Sequence, residues 1–234
     1  EVERIKNVGV PLKIMHERGE MSVWERIDYL VDPGTFCPLH SIFDPENEES
    51  GSTGVVDGLA RIHGKWCALI GFNNKWMAGA WIAGQPDNNL RVTDIAKILH
   101  IPLVWLVNCS GVKLPEQEKM YANRQGQGTC FFRHAELEQM GIPVIAGIYG
   151  TNPAGGGYQS ISPTILLAHK KANMAVGGGG IVSGMSPKGS FDEAGAEEII
   201  NATRHFKSVP PGSVKVHYDV TGFFRAVFDE EKQV

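Results

Sequence analysis

Two apolar runs, each emptying into a glycine-marked loop and then a helix, constrain this chain more than anything else in it. The first is Pro-Leu-Val-Trp-Leu-Val at 102–107, followed by Asn108-Cys109-Ser110-Gly111-Val112-Lys113-Leu114-Pro115. The second is Pro-Val-Ile-Ala-Gly at 143–147, followed by Tyr149-Gly150-Thr151-Asn152-Pro153-Ala154-Gly155-Gly156-Gly157-Tyr158. Runs that are apolar at every position, rather than at alternate ones, belong to strands covered on both faces. Helical patterns at 92–100, 116–122, 130–140 and 154–162 alternate with them, so the expected class is α/β. In such folds ligands collect outside the carboxyl ends of the strands. A helix N-terminus there presents unpaired N–H groups and the positive end of its dipole. Glycine removes the side chain that would block them. One such N–H from each of two loops makes an oxyanion hole.

The rest of the chain reads as follows. At 21–32, Val23, Ile27, Leu30 and Val31 share one helical face; Ser22 caps it, Glu25 completes a capping box, and Pro33-Gly34 ends it. Residues 44–54 are polar and turn-forming. Strands are expected at 55–62, 66–72 and 77–83, with turns at Gly64 and Asn73-Asn74, and two more at 164–168 and 173–176. A final helix is expected at 191–205, capped by Ser190. One domain then covers 1–207. The tail at 208–234 carries Pro210-Pro211-Gly212 and reads as a linker, or as the start of a second half absent from this chain.

Composition narrows the class. A net charge of −4 over 234 residues, with 21% charged side chains, gives no basic excess for nucleic acid. Cys37, Cys67, Cys109 and Cys130 are scattered without metal-ligand spacing, which suits reduced thiols in a cytoplasmic protein. No run approaches the ~20 apolar residues of a membrane helix. Residues 1–10 lack the layout of a signal peptide.

Five ordered motifs then carry a resemblance. Ser110-Gly111-Val112-Lys113-Leu114-Pro115-Glu116-Gln117-Glu118 resembles the SGG-A-x-LPxQ loop of biotin-dependent acyl-CoA carboxyltransferases, and residues 152–160, NPAGGGYQS, resemble their TAGGAY loop. Residues 124–150 are similar to the helix and strand between those loops, residues 177–187 to a substrate-lining strand and loop, and residues 25–36 to an N-terminal R-I-x-x-L-x-D-x-G-S-F signature. The wording of the loops is most similar to the glutaconyl-CoA decarboxylase branch of that family.

The resemblance implies a crotonase-like spiral of ββα units that binds acyl-CoA. It implies an oxyanion hole from the backbone N–H of Val112 and Gly155, with Gly156 the alternate donor. Gly111, Gly157, Tyr158, Ser183, Gly184 and Met185 would contact substrate. The carboxyl group of glutaconyl-CoA would pass to biotin on a separate carrier subunit, leaving crotonyl-CoA, with no metal in this chain. Implied partners are that carrier, a membrane sodium-pump subunit and further copies of the chain, giving a cytoplasmic protein peripheral to the membrane through its complex. Two other readings stay open: a carboxylase subunit of the methylcrotonyl-CoA type, and a silent crotonase-like assembly domain. Val112 departs from the family's usual second glycine, which a backbone donor tolerates.

Neighbouring chemistries fit less well. Enoyl-CoA hydratases place Glu where Gly155-Gly156-Gly157-Tyr158-Gln159 has Gln, which exchanges no proton at ordinary pH. His134-Ala135-Glu136 mimics a zinc-deaminase motif but no Pro-Cys-x-x-Cys follows. Ser110 and Ser183 lack the GxSxG elbow, and Gly177–Gly180 lacks the Lys-Ser/Thr of a P-loop. Trp76 and Trp81 are candidates to line an acyl pocket.

Overall fold

The computed structural model describes residues 1–39, 42–121 and 124–175, together with the backbone of Val214–His217. The chain opens with two short helices, α1 (Val2–Asn7) and α2 (Leu12–Glu17), which the apolar pattern does not announce. Helix α3 (Val23–Leu30) follows as its caps dictate. Ser22 Oγ accepts the Glu25 N–H at 3.3 Å, and Glu25 Oε2 accepts the Ser22 N–H at 2.8 Å. Its buried face holds Val23, Ile27 and Leu30, as expected, and also Arg26.

After β1 (Cys37–Pro38), the hairpin of β2 (Val55–Ile62) and β3 (Lys65–Phe72) pairs in register from Val55 opposite Phe72 to Ile62 opposite Lys65. Next come α4 (Gln85–Leu99), β4 (Leu103–Val107), α5 (Gln117–Tyr121), α6 (Gly128–Gln139) and β5 (Val144–Ile148). The second glycine loop holds β6 (Thr151–Pro153) and α7 (Gly155–Ile161), followed by β7 (Ile165–His169), β8 (Asn173–Ala175) and β9 (Val214–His217). The main sheet runs β1-β2-β3-β4-β5-β7-β9; its first two pairings are antiparallel and the rest parallel.

All five residues of β4 and of β5 are buried, because both faces are covered. Leu103, Trp105 and Val107 face one apolar cluster, with Val92, Ala96 and Leu137 of α4 and α6. Val104 and Leu106 face the other, with Val23, Ile27 and Leu30 of α3. Fully buried Leu69, Ile70 and Phe72 each contribute roughly 1.5–3 kcal/mol by leaving water.

Two expectations change. The segment 77–83 is not a strand: Met77–Gly79 is a 3-10 turn, with Met77 (φ 46°) and Ala78 (φ 50°) in the left-handed region, and Trp81 makes a single bridge to Val112. Helix α4 starts at Gln85 rather than 92, because its first turns bury amides instead of apolar side chains. Within 208–234, Val214–His217 forms a parallel strand beside β7. The expected helix at 191–205, Val176 and the loop at 177–187 lie outside the described residues.

Candidate functional site

The two glycine loops leave adjacent parallel strands, β4 and β5, and so emerge side by side. A third segment, 77–83, runs along the first loop. Trp81 N–H donates to Gly111 O at 2.8 Å, Lys113 N–H donates to Trp81 O at 2.9 Å, and Ser110 N–H donates to Ala78 O at 3.1 Å. In this parallel bridge the partner's own N–H points away from Trp81, so the Val112 N–H is turned outward from the pairing. Among the described residues no acceptor bonds it. The Gly111 N–H is engaged by Cys109 Sγ at 3.4 Å and its carbonyl by the Trp81 N–H, so both polar backbone groups of Gly111 are used.

Asn152 fastens the second loop to the first. It is fully buried; its Oδ1 accepts the Cys109 N–H at 2.8 Å, and its Nδ2 donates to Tyr149 O at 2.8 Å. Sequence reasoning did not single it out, although Asn ahead of Pro-Ala-Gly is a turn residue whose amide bonds nearby backbone. Ala154, at φ 49°, then turns the chain into α7 and donates to Ala175 O at 2.8 Å. Such backbone strain persists only where neighbours over-determine it, as they do here.

The triple glycine is required by close approach. A methyl carbon at Gly155 would stand 2.5 Å from Trp81 Cζ3, and one at Gly156 only 2.2 Å from Cys109 O. At Gly157 it would meet Ala175 O at 3.0 Å. All three are buried, and as the first turn of α7 their N–H groups lack helical acceptors. Trp81 is therefore shared: its backbone pairs Val112, and its ring covers Gly155. Tyr158 is exposed on α7, while the Trp81 ring stacks edge-on with Tyr121 at 5.9 Å. Trp81 and Trp76 are both buried. Ser183, Gly184 and Met185 lie outside the described residues.

The Leu-Pro-Glu of the first loop also has a local cause. Glu116 Oε2 accepts the Ala83 N–H at 2.9 Å while Oε1 pairs Lys113 Nζ at 2.8 Å, tying the loop to the segment beside it. Burial works against the Glu116 carboxylate, but the Ala83 N–H and Lys113 hold its pKa below the ordinary value.

Gln159 does not face the loops' open side. It is fully buried, with Oε1 accepting from Gln127 Nε2 at 3.5 Å and Nε2 3.4 Å from His134 Nε2. His134 reaches Ser162 Oγ in turn, and burial pushes its pKa down to about 3, so the ring is neutral at ordinary pH. Burial pushes the Cys109 thiol up to about 12, which leaves it an inert hydrogen-bonding group. Among the described residues no group of three or more His, Cys, Asp and Glu side chains could hold a metal ion, and no helix is long and apolar enough to cross a membrane.

A cavity of about 690 Å³ opens beside the loops, lined by Ser110, Gly150, Thr151 and Pro153 and by Arg26 of α3. A second, of about 590 Å³, is lined by Glu116 and lies between the 44–49 turns and α4.

Residues 15–234 match the carboxyl transferase domain family. The chain is 55% identical over 221 residues to the glutaconyl-CoA decarboxylase subunit alpha of Acidaminococcus fermentans, a match covering 94% of this chain and 38% of that protein. It is 26% identical over 192 residues to the biotin-dependent 3-methylcrotonyl-coenzyme A carboxylase beta1 subunit of Mycobacterium tuberculosis, covering 80% of this chain and 36% of that one. The chain thus spans well under half the length of these relatives. Among solved structures, the P. aeruginosa geranyl-CoA carboxylase beta subunit superposes with TM-score 0.76 at 21% identity, over 97% of this chain and 42% of that one. Transcarboxylase 12S superposes with TM-score 0.74 at 20% identity, over 93% of this chain and 43% of that one. These neighbours bear out the expected fold class, a crotonase-like α/β architecture. With the match running over nearly all its length, the chain belongs to the carboxyl transferase domain family.

Proposed function

We propose that this chain is the acyl-CoA side of a biotin-dependent carboxyltransferase that removes the terminal carboxyl group of glutaconyl-CoA. The observation that carries the reading is the pair of loops locked by Asn152, with the Val112 and Gly155 N–H groups unbonded among the described residues and Trp81 common to both. The 55% identity to a glutaconyl-CoA decarboxylase alpha subunit supports the substrate.

The chemistry needs little else. Heterolysis of the bond between the terminal carboxylate and its carbon leaves the electron pair on that carbon, conjugated through the double bond to the thioester. Charge therefore builds on the thioester oxygen as a dienolate. Two preorganised N–H donors, from Val112 and from Gly155 or Gly156, stabilise that charge more than they stabilise the neutral carbonyl, and one such donor is worth about 3 kcal/mol. Protonation of the dienolate then gives crotonyl-CoA. When its carrier is docked, biotin supplies the nitrogen that accepts the carboxyl group. Gly157 and Tyr158, together with Ser183, Gly184 and Met185, complete the substrate contacts in this reading. Its partners are a biotin carrier subunit, a membrane sodium-pump subunit and further copies of the chain, in a cytoplasmic complex at the membrane.

Calorimetric titration with glutaconyl-CoA, methylcrotonyl-CoA, crotonyl-CoA and free CoA tests the reading, with wild type compared to Val112→Pro. That variant deletes a donor N–H that bonds nothing among the described residues, and a thermal melt checks that it folds. Gly155→Pro is the poorer choice, since any β-carbon there strikes Trp81. The thioesters are expected to bind more tightly than CoA, glutaconyl-CoA best, and the variant to lose the difference. Binding no tighter than CoA, or a folded variant indistinguishable from wild type, would make the loops structural.

A further inference from the structure

We infer that Arg26 is the hook of an anion-binding subsite on the cavity wall, taking an anionic oxygen group of the acyl-CoA, a carboxylate or a phosphate. The inference rests on the acyl-CoA reading above and concerns a residue to which that reading gives no task.

Arg26 sits on α3 with only 8% of its surface exposed. Its guanidinium lies over the Tyr149 ring, 4.1 Å from the centroid, and Nη2 donates to Asn108 Oδ1 at 3.0 Å. Nη1 is buried and bonds nothing among the described residues, and no carboxylate there forms an ion pair with Arg26. Glu25, next to it in sequence, is committed to Ser22 and His16. Burial lowers the Arg26 pKa to about 10, which still leaves the group charged at neutral pH.

A buried guanidinium held by one amide and one ring is incompletely satisfied, since five N–H donors demand acceptors. Among the described residues its surroundings do not supply them. Among the described residues the same cavity is lined by Arg18, Lys75, Lys171 and His169, against a single carboxylate, Glu20. The His169 pKa is lowered first by burial, and the neighbouring charges of Arg26, Lys170 and Lys171 add to that lowering. Arg26 also stands where the reaction takes place in this reading. Asn108 and Tyr149 are the first residues beyond β4 and β5, at the roots of the two loops that carry Val112 and Gly155. A planar fork presented to such a cavity matches a carboxylate or a phosphate bidentately.

Acyl-CoA offers both groups, and the ligand panel separates them. Glutaconyl-CoA, crotonyl-CoA and crotonyl-pantetheine are titrated into wild type, Arg26→Gln and Arg26→Lys, with thermal melts as the folding control. If the hook takes phosphate, Arg26→Gln weakens both CoA thioesters by about ten- to hundredfold and leaves the pantetheine thioester unchanged. If it takes the carboxylate, only glutaconyl-CoA weakens. Arg26→Lys, which keeps the charge but not the fork, restores part of either loss. A folded Arg26→Gln that binds all three ligands like wild type overturns the inference. Should that variant not fold, unchanged affinities in Arg26→Lys overturn it equally. If wild type binds no thioester, the acyl-CoA reading fails instead. Pyrophosphate and glutarate then test the subsite alone: binding that Arg26→Gln abolishes supports it, and no binding by wild type refutes it.

Discussion

Replacing Gly156 with Ala tests whether the glycine helix is held against the first loop. The added carbon would stand 2.2 Å from the Cys109 carbonyl oxygen, more than 1 Å inside ordinary contact at roughly 3.5 Å. The atom it strikes is backbone, in a loop pinned by the Cys109 N–H to Asn152 bond, so it cannot swing aside as a flexible side chain would. Overpacking of this kind costs about 1–3 kcal/mol, partly offset by up to about 1 kcal/mol of better helix propensity. A net loss of about 1–2 kcal/mol lowers Tm by about 2–8 °C for a chain of this size. Gly128 is the control: it also opens a helix, α6, but nothing lies within 4 Å of its added carbon. Gly128→Ala should leave Tm unchanged or raise it slightly. Calorimetric melts give the stability, and acyl-CoA titration gives the function. On the proposed acyl-CoA reading, a 1 Å displacement of the donor loop should cost on the order of a hundredfold in rate once the carrier is present. If Gly156→Ala melts with Gly128→Ala and binds acyl-CoA like wild type, the close-approach argument is wrong.

Other perturbations follow from single side chains. Asn152→Ala removes the acceptor of the buried Cys109 N–H and should destabilise by about 1–3 kcal/mol in denaturant melts, with acyl-CoA affinity falling in parallel; retained affinity would show that the loops do not need the strap. His134 carries a folded pKa lowered to about 3 from 6.5 by burial. Its neutral form is therefore favoured in the fold, and the stability it contributes is present above about pH 6.5 and is lost as pH falls toward 3, with a slope of at most about 1.4 kcal/mol per pH unit. His134→Asn should flatten the stability profile by one proton across that window; an unchanged slope would contradict the burial argument. Cys37 is exposed, whereas burial pushes Cys67, Cys109 and Cys130 each up to about 12. A thiol reagent should label one cysteine per native chain and four after denaturation, read by mass spectrometry, and fast native labelling of Cys109 would mean that the loops open.

Much of the architecture was legible because its signals are local. The Ser22 and Glu25 box marks its helix start within four residues, and the β2 and β3 runs with Gly64 between them specify a hairpin from their own sequence. Helix α4 was legible only in its second half. Its first turns bury Gln85, Asn88 and Asn89, which bond Thr53 and Gln127, and apolar periodicity does not register a buried amide. The segment 77–83 looks strand-like in composition, yet its backbone is set by two left-handed residues and a bridge to a loop some thirty positions away.

What the sequence determined by itself was the class of the fold and the two loops: strands apolar at every residue demand cover on both faces, and glycine at a helix start allows backbone to approach backbone. Only the tertiary structure decided which N–H groups the loops leave unbonded among the described residues. That depended on Cys109 Sγ taking the Gly111 N–H and on Trp81 bridging to Val112. It also decided that Arg26 is buried, since Asn108, its hydrogen-bond partner, lies 82 positions away and comes alongside only when α3 docks over the ends of β4 and β5. Periodicity assigns a residue to a helix face; the charge environment of that face is made by whatever the fold packs against it.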